Sequence, residues 1–178
     1  MRRTLNDTLL ALREQLRAWK SGLARPDLRV LVYAPEYEAE LLARLPDFQT
    51  ECAAAGLSLE VIDVGQRFRA ELQSRPARMQ ALLHDDAAGK SGAPRDLGTI
   101  ASRMIESLIT AEPAPSALCR LLSNTGSLAT LISYSAIANR LYDSTRTPVV
   151  LLFPGEGDDR ALNILGLRSD PTYRVPRI

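Results

Sequence analysis

The chain has 178 residues, the size of one ordinary domain. Its 22 Lys and Arg stand against 21 Asp and Glu, a balance that disfavours a dedicated nucleic-acid binder or a polybasic membrane protein. One histidine, His84, and two cysteines, Cys52 and Cys119, leave too little for a zinc site, a two-imidazole mechanism or a disulfide framework.

Residues 4–23 form the clearest predicted helix. Leu5, Leu9, Leu12, Leu16, Trp19 and Leu23 recur at a 4-3-4-3-4 spacing, which makes one apolar seam. Asn6 and Asp7 suit the start of this helix, and Gly22 and Pro26 its end. The seam can brace the domain's own sheet or dock on another protein; the first is the usual fate of an amphipathic face. The charged residues Asp7, Arg13 and Glu14 occupy positions where a secretory signal is apolar, and no apolar run nears the roughly 18–20 residues of a membrane span. A cytoplasmic protein is expected.

Leu28–Tyr33 (LRVLVY) reads as a strand buried on both faces. Pro35 opens an acidic helical stretch that Pro46 should interrupt and Gly56 should stop. A second strand is expected over residues 57–64 and a helix over 66–83, broken at Pro76. Residues 84–95 (HDDAAGKSGAPR) read as a flexible loop. They end like a phosphate-binding loop, but His84 stands where its first glycine belongs and the strand–helix frame is missing, so the expectation is a linker. A helix over 97–110, a strand over 117–122, a helix over 128–142 and a strand over 148–153 follow. A short helix near 159–165 and an edge strand near 173–178 complete the chain. The alternation predicts a single three-layer α/β domain spanning residues 1–178. It is a Rossmann-like arrangement: a mostly parallel sheet of four or five strands, flanked by helices and preceded by an N-terminal amphipathic helix.

Ligands of open parallel sheets gather beyond the carboxyl ends of the strands. Ala34, Pro35 and Glu36, then Asp63, Val64 and Gly65, then residues 123–127, then residues 154–158 should converge there. Ser123, Asn124, Thr125, Gly126 and Ser127 lie between a strand and a predicted helix start. They could hold an anion on free backbone N–H groups, or simply cap the helix, which is the default. Glu156, Asp158 and Asp159 could serve as paired carboxylates, though the flanking glycines describe a solvated turn. Cys52 and Cys119 fall inside regular elements and read as small apolar residues. Arg168, Arg174 and Arg177 make the tail locally basic. No cofactor, metal ligand set or catalytic constellation emerges.

The last third of the chain carries a further pattern. LSNTGS over residues 122–127 is followed by Asn139, Arg140 and Leu141, then by PVVLLFPGE over 148–156, Leu165 and Gly166, and Tyr173 and Arg174. This resembles the BrxB family of bacteriophage exclusion (BREX) defence systems, from about Leu121 to the C-terminus and more loosely over residues 28–64. The resemblance implies a small cytoplasmic, non-enzymatic component of an anti-phage system. It would act as an assembly or adaptor factor for a PglZ-like phosphatase-family partner and other BREX components. The surfaces then expected to meet partners are the seam of Leu5, Leu9, Leu12, Leu16 and Trp19, and the segment from Phe153 onward including Arg174.

Overall fold

The computed structural model describes residues 4–87, 92–158, 161–164, 168–171 and 175–178. Helix α1 (Leu5–Lys20) is capped by Thr4, whose side chain accepts from the Asp7 backbone N–H while the Asp7 carboxylate accepts from that of Thr4. This capping box places the helix cap at Thr4, two residues before Asn6, and Gly22, at φ +72°, turns the chain away from its end. Strand β1 (Leu28–Tyr33) matches the apolar run residue for residue.

A 3₁₀ turn (Pro35–Tyr37) then leads into α2 (Glu38–Ala54), which passes through Pro46 without a break, contrary to expectation. The physical reason is placement. Pro46 lies on the exposed side, where water can serve the carbonyl it leaves free, while Leu41, Leu45, Phe48 and Cys52 keep an unbroken apolar face. Strand β2 (Leu59–Asp63) precedes α3 (Val64–Gln73), and Pro76 starts a separate helix, α4 (Pro76–Ala87). Thus helix covers the first part of the expected loop, and α5 (Ala93–Thr110) covers its end.

Strand β3 (Cys119–Ser123) is followed by a four-residue 3₁₀ turn (Thr125–Leu128), and α6 (Tyr134–Leu141) begins only at Ser133, whose hydroxyl caps it. The long helix expected from residue 128 is therefore cut short at its front. Strand β4 (Val149–Asp158) runs five residues past the expected strand end. It pairs antiparallel with β5 (Ala161–Ile164), which pairs in turn with β6 (Arg168–Pro171). This replaces both the short helix and the acidic turn. Ala161, Leu162, Asn163 and Ile164 alternate apolar and polar only loosely, and pairing along β4 decides between strand and helix.

The four parallel strands lie in the order β2-β3-β4-β1. The tail adds a parallel bridge on the free side of β1, between Val30 and Arg177. The chain crosses the whole sheet from β1 to β2 and then returns through β3 to β4. Constant right-handed crossovers then put α2 on one face and α3–α6 on the other. Two apolar layers result. Leu12, Leu16, Leu41 and Phe48 pack on Leu31, Leu121 and Leu152. Ile105, Ile109, Tyr134 and Ile137 pack on Val30, Leu122 and Leu151. The arrangement is the expected three-layer α/β fold.

Candidate functional site

The carboxyl ends of β1, β2 and β3 meet at one rim. Asp63 closes β2 and caps α3: its Oδ1 accepts from the Gln66 backbone N–H at 2.8 Å and from Asn124 Nδ2 at 3.0 Å. Asn124 reaches it from the left-handed region, at φ 57°, a conformation few side chains other than asparagine tolerate. The two turns approach so closely that a Cβ on Gly65 would sit 2.7 Å from Asn124 Nδ2 and 2.8 Å from Ser127 Oγ. A larger residue there would have to displace both side chains and the Asn124 bond to Asp63.

The other polar side chains of residues 123–127 also bond within the fold. Ser123 Oγ donates to the Ile62 carbonyl at 3.2 Å, Thr125 Oγ1 to that of Leu152 at 2.6 Å, and Ser127 Oγ to that of Asn124 at 2.7 Å. Ser123, Asn124 and Thr125 thereby knit the turn to β2 and β4, and Ser127 closes the turn on itself. The α-helical N-terminus expected here lies instead at Tyr134, where Ser133 Oγ accepts from the Ala136 backbone N–H at 3.3 Å. Glu156 and Asp158 continue β4 rather than forming a turn.

On either side of the first expected segment lie two residues that sequence reasoning missed. Tyr33, the last residue of β1, donates its phenol hydrogen to Glu38 Oε2. The other carboxylate oxygen, Oε1, is buried and makes no hydrogen bond among the described residues. Burial pushes the Glu38 carboxyl above the ordinary glutamate range; the Tyr33 bond opposes this and the charge of Asp63 adds to it. Tyr134 is fully buried, edge-on to Phe153 with ring centroids 6.0 Å apart, and its hydroxyl is likewise unpartnered among the described residues. Burial, and then the Glu38 charge, hold the Tyr134 phenol protonated well above neutral pH; burial and the Glu38 bond do the same for Tyr33. Tyr33 and Glu38 can share a proton through their bond, Tyr134 feels Glu38 only through its charge, and neither phenol can act as a base near neutrality. The only early signal was Tyr33 ending an apolar strand five residues before an acid.

Elsewhere, burial raises both thiols, and that of Cys119 has no solvent access, so neither supplies a thiolate nucleophile. Among the described residues, no three His, Cys, Asp or Glu gather as a metal cage. His84 is exposed near the end of α4.

The N-terminal seam is spent inside the chain. Leu5, Leu9, Leu12, Leu16 and Trp19 are all buried, and Trp19 Nε1 donates to the Arg25 carbonyl at 3.0 Å. Arg13 pairs with Glu51, and Arg44 donates to Asn6 Oδ1 at 2.8 Å, so polar contacts also fasten α1 to α2. A partner could reach the seam only if α1 left the sheet: of the two uses expected of the seam the structure shows the brace on the domain's own sheet, and the interaction residues Leu5, Leu9, Leu12, Leu16 and Trp19 are not an exposed docking face. Leu23, expected to extend the seam, lies past the helix and is 85% exposed. Tyr173 and Arg174 lie outside the described residues.

Fold and rim together define a three-layer α/β protein with a largely self-bonded carboxyl edge. No helix among the described residues is long and apolar enough to cross a membrane. No family model, curated protein or solved structure matches the chain.

Proposed function

We propose that this chain is a non-enzymatic adaptor of a BREX-type anti-phage assembly and that it binds a PglZ-like phosphatase-family partner. The assembly and the partner rest on the resemblance of residues 122–174 to the BrxB family. The adaptor role rests on one observation: the Ser123, Asn124 and Thr125 side chains bond to β2 and β4, and that of Ser127 bonds back onto the turn. A rim built this way keeps its shape and offers no poised nucleophile or anion cradle.

With the leucine seam buried, the partner surface moves to the segment from Phe153 onward. There β4 leaves its parallel neighbours and continues into the antiparallel strands β5 and β6. Among the described residues β6 pairs only with β5, and a strand edge of this kind accepts a further strand from a partner.

The test is co-purification of the intact chain with a PglZ-like protein. A companion variant has residues 158–171 replaced by a short turn, and its thermal unfolding is checked beside the parent. Capture by the intact chain and loss in the folded variant are expected. Failure of the intact chain to bind removes the partner, and turnover of a small molecule abolished by Asn124→Ala removes the non-enzymatic reading.

A further inference from the structure

A second feature lies away from the rim, on the helical face formed by α3, α4 and α5. A cleft of about 270 Å³ opens there. Arg67, Glu71 and Arg75 follow one another at four-residue spacing along one wall, and Arg78 of α4 joins them. The opposite wall is the matching row Thr99, Arg103 and Ser107 on α5. Ile100 and Met104, both buried, lie between the rows with Leu108 as the floor.

The lining carries four guanidinium groups and one carboxylate, in a chain whose formal charge is only +1. Glu71 is committed to Arg75 at 2.5 Å, and Arg78 reaches out of the lining toward Asp96 at 3.8 Å. Arg67 and Arg103 make no hydrogen bond or ion pair among the described residues, and neither does the Ser107 hydroxyl. Two forked cations and a hydroxyl donor therefore line one small space over an apolar floor.

We propose that this cleft binds the phosphoryl groups of a small phosphorylated ligand. Planar guanidinium forks match tetrahedral oxyanions two oxygens at a time, and a pair from opposite walls can grip one diphosphate. The volume sits just below the ordinary range for small-molecule pockets, roughly 300–1,000 Å³, which suits a di- or triphosphate moiety rather than a large organic body. The ligand's uncharged part would lie on Ile100 and Met104. This site is independent of the adaptor reading and of the turn at residues 123–127.

The experiment is calorimetric titration of the full chain with inorganic pyrophosphate at low ionic strength, with ADP and a short single-stranded oligonucleotide lacking terminal phosphates as parallel arms. One saturable site for pyrophosphate is expected. Its affinity should fall about tenfold or more in Arg67→Ala and in Arg103→Ala, as loss of a charge-assisted bond requires, and less in the corresponding lysine variants. Tighter binding of ADP than of pyrophosphate identifies a nucleotide as the source of the phosphates. Absence of saturable pyrophosphate binding overturns the proposal. So does unchanged binding in the Arg67→Ala/Arg103→Ala double variant with its melting curve intact, or binding of the oligonucleotide alone.

Discussion

Arg120 occupies the middle of the parallel sheet yet carries a full charge. It is 4% exposed and satisfies all its visible demands at once. Its Nε donates to Glu60 Oε2 at 2.7 Å, the residue beside it on β2. Its Nη1 donates to the carbonyls of Leu108 at 2.5 Å and Ala111 at 2.9 Å, and its Nη2 to that of Glu112 at 2.7 Å. Arg120 is thus a cap supplied from a strand to the C-terminal end of α5, where the helix dipole favours a cation. Arg120→Met keeps the aliphatic stem and removes the fork, leaving three carbonyls and one carboxylate short of a donor. Breaking a buried pair from one side costs about 3–5 kcal/mol. The side chain of Glu60 is 28% exposed and also accepts from the Ala114 backbone N–H, so water bears part of the loss and the lower end applies. A cost of about 3 kcal/mol is a large share of a total near 5–15 kcal/mol. It lowers Tm by roughly 10 °C in a domain of this size. Urea unfolding followed both by circular dichroism and by fluorescence of the single tryptophan, Trp19, measures it. Arg120→Lys should lose about half as much, because one ammonium cannot serve acceptors on both α5 and β2. Glu60→Gln should lose about 1 kcal/mol. A cost below about 1 kcal/mol for Arg120→Met, or a lysine variant equal to the parent, refutes the clamp.

Leu16 is completely buried under α1, so Leu16→Ala should cost about 2–5 kcal/mol, whereas Leu10→Ala at a half-exposed position should change stability by less than about 0.5 kcal/mol. Equal effects in denaturant titrations would mean that α1 is not docked as described. Gly98 lies inside α5, where alanine ordinarily gains about 1 kcal/mol, but its Cβ would sit 2.7 Å from the Leu131 carbonyl oxygen. Gly98→Ala should therefore destabilise by about 1–3 kcal/mol, and a raised Tm would contradict the close approach. Glu38 binds its proton more tightly in the folded than in the unfolded chain, so its contribution to stability declines as pH climbs above the ordinary value of 4.5. Glu38→Gln should then be more stable than the parent near neutral pH, with the difference closing as pH falls into the carboxylate range; a pH-independent difference in urea midpoints would refute the assignment.

How much of this was legible depended on whether the deciding forces were local. LRVLVY could be read as a strand to the residue because an unbroken apolar run of that length has few other uses. Pro76 broke a helix as expected, yet Pro46 did not, since its effect depends on which side faces water, and that is set by the whole apolar face of α2. The β4–β5 pairing was invisible for a similar reason: the glycines at 155 and 157 signal a turn locally, and only a paired partner makes them strand. The Arg120 clamp did have a signal, a charge in the middle of the apolar run ALCRLL, and a buried charge always implies acceptors. The association of Tyr33 and Glu38 with Tyr134 had none, because α6 brings the third member from far along the chain. At residues 123–127 the residue types suggested capping first and anion binding second; the bond partners of Ser123 and Thr125 come from β2 and β4, and those long-range contacts decide what these hydroxyls do.

These long-range bonds also explain why the rim of this sheet departs from the usual ligand crevice. Such a crevice needs strand ends that stop and loops that diverge, leaving free N–H groups between them. Here β4 does not stop: from Gly155 it exchanges parallel for antiparallel pairing and carries the chain past the rim. The turn after β3 does not diverge from that after β2 either, because Asn124 is held in its left-handed conformation by the bond to Asp63. A strained residue of this kind costs about 1–3 kcal/mol and persists only where surrounding contacts fix it. Gly65 admits the contact that fixes it, and Thr125 anchors the next residue to β4. Strain at a rim often serves catalysis, but at Asn124 each stabilising contact is internal, the carboxylate beside it caps a helix, and the neighbouring hydroxyls of Ser123, Thr125 and Ser127 donate to backbone carbonyls. The strain therefore holds two turns together, and the two surfaces proposed above for binding, the edge of the β4–β6 extension and the arginine-lined cleft of α3, α4 and α5, both lie away from it.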